Sequence, residues 1–276
     1  LDAMVEKTKA LEAYQEAGED PKALECIPML KRSDIKREAA KIINEELTVD
    51  DSLFLYHDVC TNGIGYVDLM FKTDSIAPEQ IPYLGLLKSV LGYVDTENYT
   101  YGELFNEINA NTGGINCGVE VFDRADSTEE FQAMFSVRGK ALYTKMDFLF
   151  KMIGEILNSS KLEDTKRLYE IVASVKSRAQ VNLTGAGHST AVLRAAAYSS
   201  PMAAFQDEMA GIGYYQFIEK LEKDFEQRKE ETVEELCKLM KKILRPENFM
   251  ISYTGERESL ETVQKLAGTV KAGLGT

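Results

Sequence analysis

The chain has 276 residues, 44% of them apolar and 28% charged, the composition of an ordinary globular protein with enough material for a sizeable core in one large domain or two small ones. Its 45 acidic residues against 32 basic ones leave a formal net charge of −13, which serves solubility, repels a phosphate backbone and argues against nucleic acid as the main partner. No apolar run approaches the roughly 20 residues that span a bilayer, which argues against insertion into a membrane.

The chain opens on Leu1 rather than Met and shows no positive n-region followed by an apolar h-region, so a signal peptide is not read and an excised segment is expected. From Leu1 to about Glu16 the apolar spacing is loosely helical and predicts a mostly exposed helix, stopped by Gly18-Glu19-Asp20-Pro21. A short element from Pro21 to about Cys26 precedes Ile27-Pro28-Met29-Leu30, and Ser33-Asp34-Ile35 suits a capped turn. Residues 1–40 are taken as an arm leading into the domain.

The period then changes. Glu46 to Val49, Leu53 to Val59 and Ile64 to Lys72 read as strands, the last alternating as in a sheet with one wetter face. Thr61-Asn62-Gly63 is a tight-turn signal, which predicts that the second and third strands form an antiparallel hairpin. Pro78 suits a first helical turn, and Ile81, Leu84, Leu87, Lys88 and Leu91 mark the face of a helix ending near Gly92. A second helix follows Thr100 as N-cap, with Leu104, Phe105 and Ile108 expected to face inward and Asn111-Thr112-Gly113-Gly114 as its stop. Two more strands, Ile115 to Phe122 and Glu130 to Arg138, flank the polar segment 123–128.

From about Thr144 helical patterning dominates, broken at Gly185-Ala186-Gly187-His188-Ser189 and again before the amphipathic segment from Glu230 to Leu244. Phe249 to Thr254 is a last strand and Glu258 to Leu266 a last helix, with a glycine-containing disordered tail expected after it. The fold class is α+β: a mostly antiparallel sheet packed against a layer of helices, with residues 41–268 as the domain and 269–276 as the tail.

Side chains that carry chemistry are sparse. Cys26, Cys60, Cys117 and Cys237 are far apart with no Cys-x-x-Cys pair, which points away from a zinc knuckle or disulfide framework and toward a reducing compartment. His57 and His188 lack a partner at metal-motif spacing, and no Gly-x-Ser-x-Gly elbow offers a nucleophile, so both are assigned structural or surface roles, His188 as a cap or a contact to a neighbouring domain. The glycines at 113, 114 and 118 lie between helix and strand without the ending of a phosphate loop. Carboxylate pairs such as Glu163-Asp164, Glu230-Glu231 and Glu234-Glu235 fit solvated helix starts, and Tyr198, Met202, Phe205, Tyr214 and Tyr215 fit packing between helices, with a peptide channel as the other reading.

Read in order, Tyr14 to Asp20 with Ile27-Pro28-Met29-Leu30 and Ser33-Asp34-Ile35, Thr61-Asn62-Gly63 with its following strand, Asn111-Thr112-Gly113-Gly114-Ile115, Gly187-His188-Ser189 with Arg194-Ala195-Ala196, and Gly211-Ile212-Gly213 resemble the presequence-protease branch of the pitrilysin/insulinase superfamily of zinc peptidases. The matching part is the non-catalytic third domain, of zinc metallohydrolase-like (processing-peptidase-like) fold, plus part of the helical linker between that enzyme's halves. Where a catalytic copy resembles His-Ile-Leu-Glu-His-Ser-Val-Leu, this chain carries Leu84-Gly85-Leu86-Leu87-Lys88-Ser89-Val90-Leu91. Leu84, Leu87 and Lys88 thus stand at degenerate metal-motif positions, and no catalytic or metal-binding residue is assigned.

The resemblance implies a fragment of a zinc-dependent oligopeptidase that is itself inactive and forms chamber wall around unfolded peptides, with zinc held in another segment. Its partners would be the other domains of the same polypeptide and the peptides. Bacterial cytoplasm, or an organellar matrix, is the expected setting. The alternative is a free-standing non-catalytic binding or assembly subunit of the same fold, like those among mitochondrial processing peptidases and respiratory-complex core proteins.

Overall fold

The structure is a computed structural model that describes residues 2–18, 21–39, 41–127 and 129–275, so Leu1, Glu19, Asp20, Ala40, Thr128 and Thr276 of the segments above lie outside the described residues. The chain divides into two units, Leu1–Ile42 and Ile43–Thr276. The first holds helix α1 (Asp2–Glu16), a short helix α2 (Pro21–Leu24) and a 3₁₀ turn at Arg32–Asp34. As its loose periodicity implies, α1 buries none of its residues.

The second unit is built on a six-stranded sheet of β1 (Glu45–Val49), β2 (Ser52–Asp58), β3 (Ile64–Lys72), β4 (Ile115–Asp123), β5 (Phe131–Leu142) and β6 (Phe249–Gly255), in the spatial order β1-β2-β6-β3-β5-β4. Only the β2–β6 pair is parallel. The helices are α3 (Ile81–Val90), α4 (Tyr101–Asn111), α5 (Met146–Ser159), α6 (Thr165–Gly185), α7 (Gly187–Ala196), α8 (Pro201–Ala210), α9 (Ile212–Lys223), α10 (Phe225–Ile243) and α11 (Leu260–Ala272).

The expected hairpin between β2 and β3 does not form, because β6 lies between them, parallel to β2 and antiparallel to β3. The reason is burial: Phe249, Ile251 and Tyr253 alternate into the core, and a strand this buried must pair its backbone along both edges. The hairpin of this region is β1–β2, turned by Asp50 and Asp51 at φ +47° and +62°, a conformation that Asp tolerates. Thr61-Asn62-Gly63 does turn the chain, with Asn62 and Gly63 also at positive φ, but it leads β2 across to the far side of β6.

Glu256, just past β6, holds that turn: its carboxylate accepts hydrogen bonds from the backbone of Thr61 (3.2 Å) and Gly63 (3.3 Å) and from the Tyr143 hydroxyl. The Tyr143 oxygen in turn accepts from the Glu256 backbone at 2.7 Å. The Tyr143 hydroxyl is the main cause that draws the Glu256 carboxyl down to about 2.

One sheet face, carrying Phe54, Tyr56, Leu69, Phe71, Phe135, Val137, Ile251 and Tyr253, is fully buried. Tyr56 stacks on Tyr253 with ring centroids 6.0 Å apart. Helix α5 packs closely on it because a Cβ at Gly139 would lie 2.6 Å from Leu149 Cδ1; the sheet glycine makes room for the leucine. Helix α4 begins as its sequence predicts, with Thr100 Oγ1 accepting from the Glu103 backbone (3.3 Å) and Glu103 reaching back to the Thr100 N–H (3.0 Å). Leu104 and Ile108 face inward, but Phe105 is 58% exposed, since it sits one residue round from their narrow stripe.

Residues 269–275 of the expected tail are instead structured. Helix α11 continues to Ala272, Val270 and Leu274 are buried, and the Lys271 ammonium donates to the Asp50 carbonyl at the β1–β2 turn. Lys265, Lys271 and the glycines obscure the pattern, yet the two apolar residues fall on the inward side.

Two outcomes follow from these contacts. Glu256 has a depressed carboxyl pKa, so its contribution is complete above the ordinary value of 4.5 and is lost as pH falls toward about 2. Urea unfolding across that range should therefore show a steeper acid loss for the natural chain than for Glu256→Gln. Truncation after Gly268, which removes buried Val270 and Leu274, should lower the unfolding free energy by about 3 kcal/mol or more.

Candidate functional site

Helix α3 presents Leu84, Leu86 and Leu87 to the core, where they are at most 1% exposed. Its middle passes close to α8 and α9: a Cβ at Gly85 would meet the Met209 carbonyl oxygen and lie 2.8 Å from the Tyr214 ring. The next turn brings Lys88 to the rim of this packing, beside β4, where burial pushes its ammonium below the ordinary lysine value and nearby Glu120 opposes the shift. Two alkyl groups sealed in a core and an ammonium offer no ligand to a metal cation, so Leu84, Leu87 and Lys88 do not fit zinc. Among the described residues no three His, Cys, Asp or Glu side chains gather in a way that would hold one.

The other face of the sheet is polar. Across its register stand Ser252 on β6, Asp68 on β3, Arg138 on β5 and Asn116 on β4. Arg138 donates to Asp68 at 2.7 Å and lies 3.2 Å from Glu120, while His57 Nε2 is 3.2 Å from the Ser252 hydroxyl and its Nδ1 2.7 Å from the Ile43 carbonyl. A cavity of about 390 Å³ opens here, lined by Tyr66, Asp68, Asn116, Arg138, Lys140 and Thr254 among others. Burial holds the Asp68 carboxyl above its usual range although Arg138 pulls the other way, and its second oxygen has no hydrogen-bond partner. An ion pair so half-exposed adds little stability. Its arrangement is that of a surface able to hold polar peptide groups.

The remaining sequence-predicted residues are dispersed. His57 is tied between two strands and a carbonyl, a structural setting. His188 is exposed in the first turn of α7 and is not its cap, a position taken by Ala186. The four cysteines are free thiols, and burial pushes that of Cys117 up to about 12. Glu234 and Glu235 pair with Lys238 on the outer side of α10. Phe205 and Tyr214 are buried as expected, whereas Tyr198 is 85% exposed.

Asp207, unremarkable in the sequence, is 1% exposed and organises the Arg194 and Gly211-Ile212-Gly213 motifs. Its carboxylate pairs with Arg194 and accepts from the backbone of Ile212 (3.1 Å) and Gly213 (3.2 Å), closing the start of α9. A Cβ on Gly211 or Gly213 would strike Asp207 or Glu208, so the glycines are there for the carboxylate. The signal in the sequence was the spacing of an acid just ahead of a Gly-x-Gly helix start.

A family model for the region associated with peptidases of family M16, subfamily C, matches residues 1–221. The chain belongs to this peptidase-associated family. It is 34% identical over 265 residues to "Protein HypA" of Clostridium perfringens, covering 96% of this chain and 27% of that protein. It is 27% identical to "Presequence protease 1, chloroplastic/mitochondrial" of Arabidopsis thaliana, covering 96% of this chain and 24% of that one. It thus spans about a quarter of the length of these relatives.

The fold is similar to the peptidase M16 inactive domain from Pseudomonas fluorescens, with a TM-score of 0.55 at 15% identity over 84% of this chain and 50% of that one. A conserved protein from Enterococcus faecalis gives 0.59 at 13% identity over 82% and 52%. The likeness to the presequence-protease branch of the pitrilysin superfamily, drawn above from scattered motifs, is therefore correct, as is the α+β fold. No helix of the described residues is long and apolar enough to cross a membrane.

The placement of α3 has a measurable consequence. Leu84→His and Leu87→Glu should each lower the urea-unfolding free energy by about 3 kcal/mol or more, since each puts a polar group where no partner is available. Lys88→His, at the rim, should change it by less than about 1 kcal/mol.

Proposed function

We propose that this chain is the non-catalytic part of a zinc-dependent oligopeptidase, in which it forms wall of a chamber that encloses and positions unfolded peptides while the zinc is held by another segment. Leu84, Leu87 and Lys88 are then the remains of a metal motif turned over to packing and charge. The observation that carries this reading is the pairing of a core-sealed α3 with an open sheet face bearing Asp68, Arg138 and Glu120. Such a face orients a substrate through polar contacts, and enclosure excludes folded proteins by size. That the chain spans about a quarter of its relatives supports a segment over a free-standing subunit. Bacterial cytoplasm or an organellar matrix suits this work, and the net charge of −13 favours basic peptides as its clients.

The test uses the longer polypeptide that contains this chain, assayed on an unstructured peptide. Cleavage should be abolished by a chelator, and Arg138→Ala should raise KM about 3-fold to 10-fold with kcat changed less than 2-fold. Chelator-sensitive hydrolysis by residues 1–276 alone would overturn the reading.

A further inference from the structure

A second cavity, of about 580 Å³, lies beside β4 and carries the opposite charge sign to the protein as a whole. Lys88 of α3, Arg178 of α6 and Glu120 of β4 are the ionisable cations and carboxylate among its lining groups, joined by Ser89 and Asn116. Glu120 is already engaged by Arg138 at 3.2 Å. Lys88 and Arg178, in contrast, make no ion pair and no side-chain hydrogen bond among the described residues; their partners are electrostatic only, Glu120 for Lys88 and the Tyr214 phenol for Arg178. A smaller cavity of about 240 Å³ shares Ser89 and Arg178 with the first, and Tyr214 lines it. The Tyr214 side chain is 5% exposed and its hydroxyl lies against the Ser89 side chain, which engages it without the geometry of an ordinary hydrogen bond.

Lys88 and Arg178 line one cleft without an ion pair or a side-chain hydrogen bond to hold either, and the two cations have a common complement. A carboxylate accepts from an ammonium and a guanidinium at once, and such charge-assisted bonds are about twice as strong as neutral ones. A metal cation is refused by the same groups. We propose that the cleft between α3, α6 and β4 is a carboxylate-binding site, taking the C-terminal or an acidic side-chain carboxylate of a peptide, with Lys88 and Arg178 as its donors. This deepens the peptide-positioning reading and rests on it. Burial disfavours the Lys88 ammonium, its nearby Glu120 is shared with Arg138, and an arriving carboxylate relieves that cost. The surrounding acidic field would draw a basic peptide body while this cleft fixes its one anionic group.

Calorimetric titration of the 276-residue chain with three forms of one eight-residue unstructured peptide tests the site: N-acetylated with a free C-terminal carboxylate, the same peptide as its C-terminal amide, and the amide with one internal Glu. The free acid or the Glu form should bind at least tenfold tighter than the plain amide, and which of the two does so identifies the source of the carboxylate. Lys88→Met and Arg178→Gln should each cut the preference below about 2-fold. Equal binding of all three forms, binding of none, or a preference that survives Lys88→Met would overturn the proposal. Equal binding would leave peptide enclosure standing, and that reading is judged separately by the Arg138→Ala kinetics.

Discussion

The whole domain depends on β6. The ribbon β1–β2 and the sheet β3–β5–β4 share no backbone pairing with each other; each pairs with the strand 249–255 that arrives between them almost 200 residues after β2. Ile251 and Tyr253 are fully buried at that seam, with Tyr253 stacked on Tyr56 and edge-on to Phe54. Glu256 at the end of the strand then fastens the turn that lets β2 and β3 stand apart. A fold closed through its last strand is stabilised by long-range contacts above all.

That dependence explains what the sequence revealed and what it hid. Local chemistry was legible: Thr100 with Glu103 announced α4, the alternation of Ile64 to Lys72 announced β3, and the apolar stripe of 81–91 announced α3. Pairing was not. Asn62-Gly63 is a proper turn signal with both residues at positive φ, but the signal specifies a change of direction and says nothing of which strand lies alongside. The true hairpin turn, Asp50-Asp51, is a weaker pattern because Asp at positive φ is uncommon. The end of α11 is masked in the sequence because Gly268 and Gly273 weigh on propensity, whereas burial of Val270 and Leu274 overrides it.

The candidate sites divide in the same way. Lys88 was visible as an oddity in α3, because a cation in an otherwise apolar pentapeptide needs a reason. Arg178 and Asp207 were invisible, since each acquires its meaning from other elements. The polar sheet face is an intermediate case: alternation in β3 showed that Asp68 would point away from the core, but its encounter with Arg138 and Glu120 depends on the registers of β3, β5 and β4 together.

The two outermost strands of the sheet are managed differently. Strand β1 is only five residues long, and its Glu45 is paired with Arg257, so charge and brevity discourage another chain from adding there. Strand β4 is nine residues long and has α3 lying against it, with the Lys88 ammonium at the join. A sheet whose flanks are guarded by a short acidic strand on one side and a helix on the other resists edge-to-edge self-association, which lets its polar face stay exposed without turning the domain into a template for aggregation.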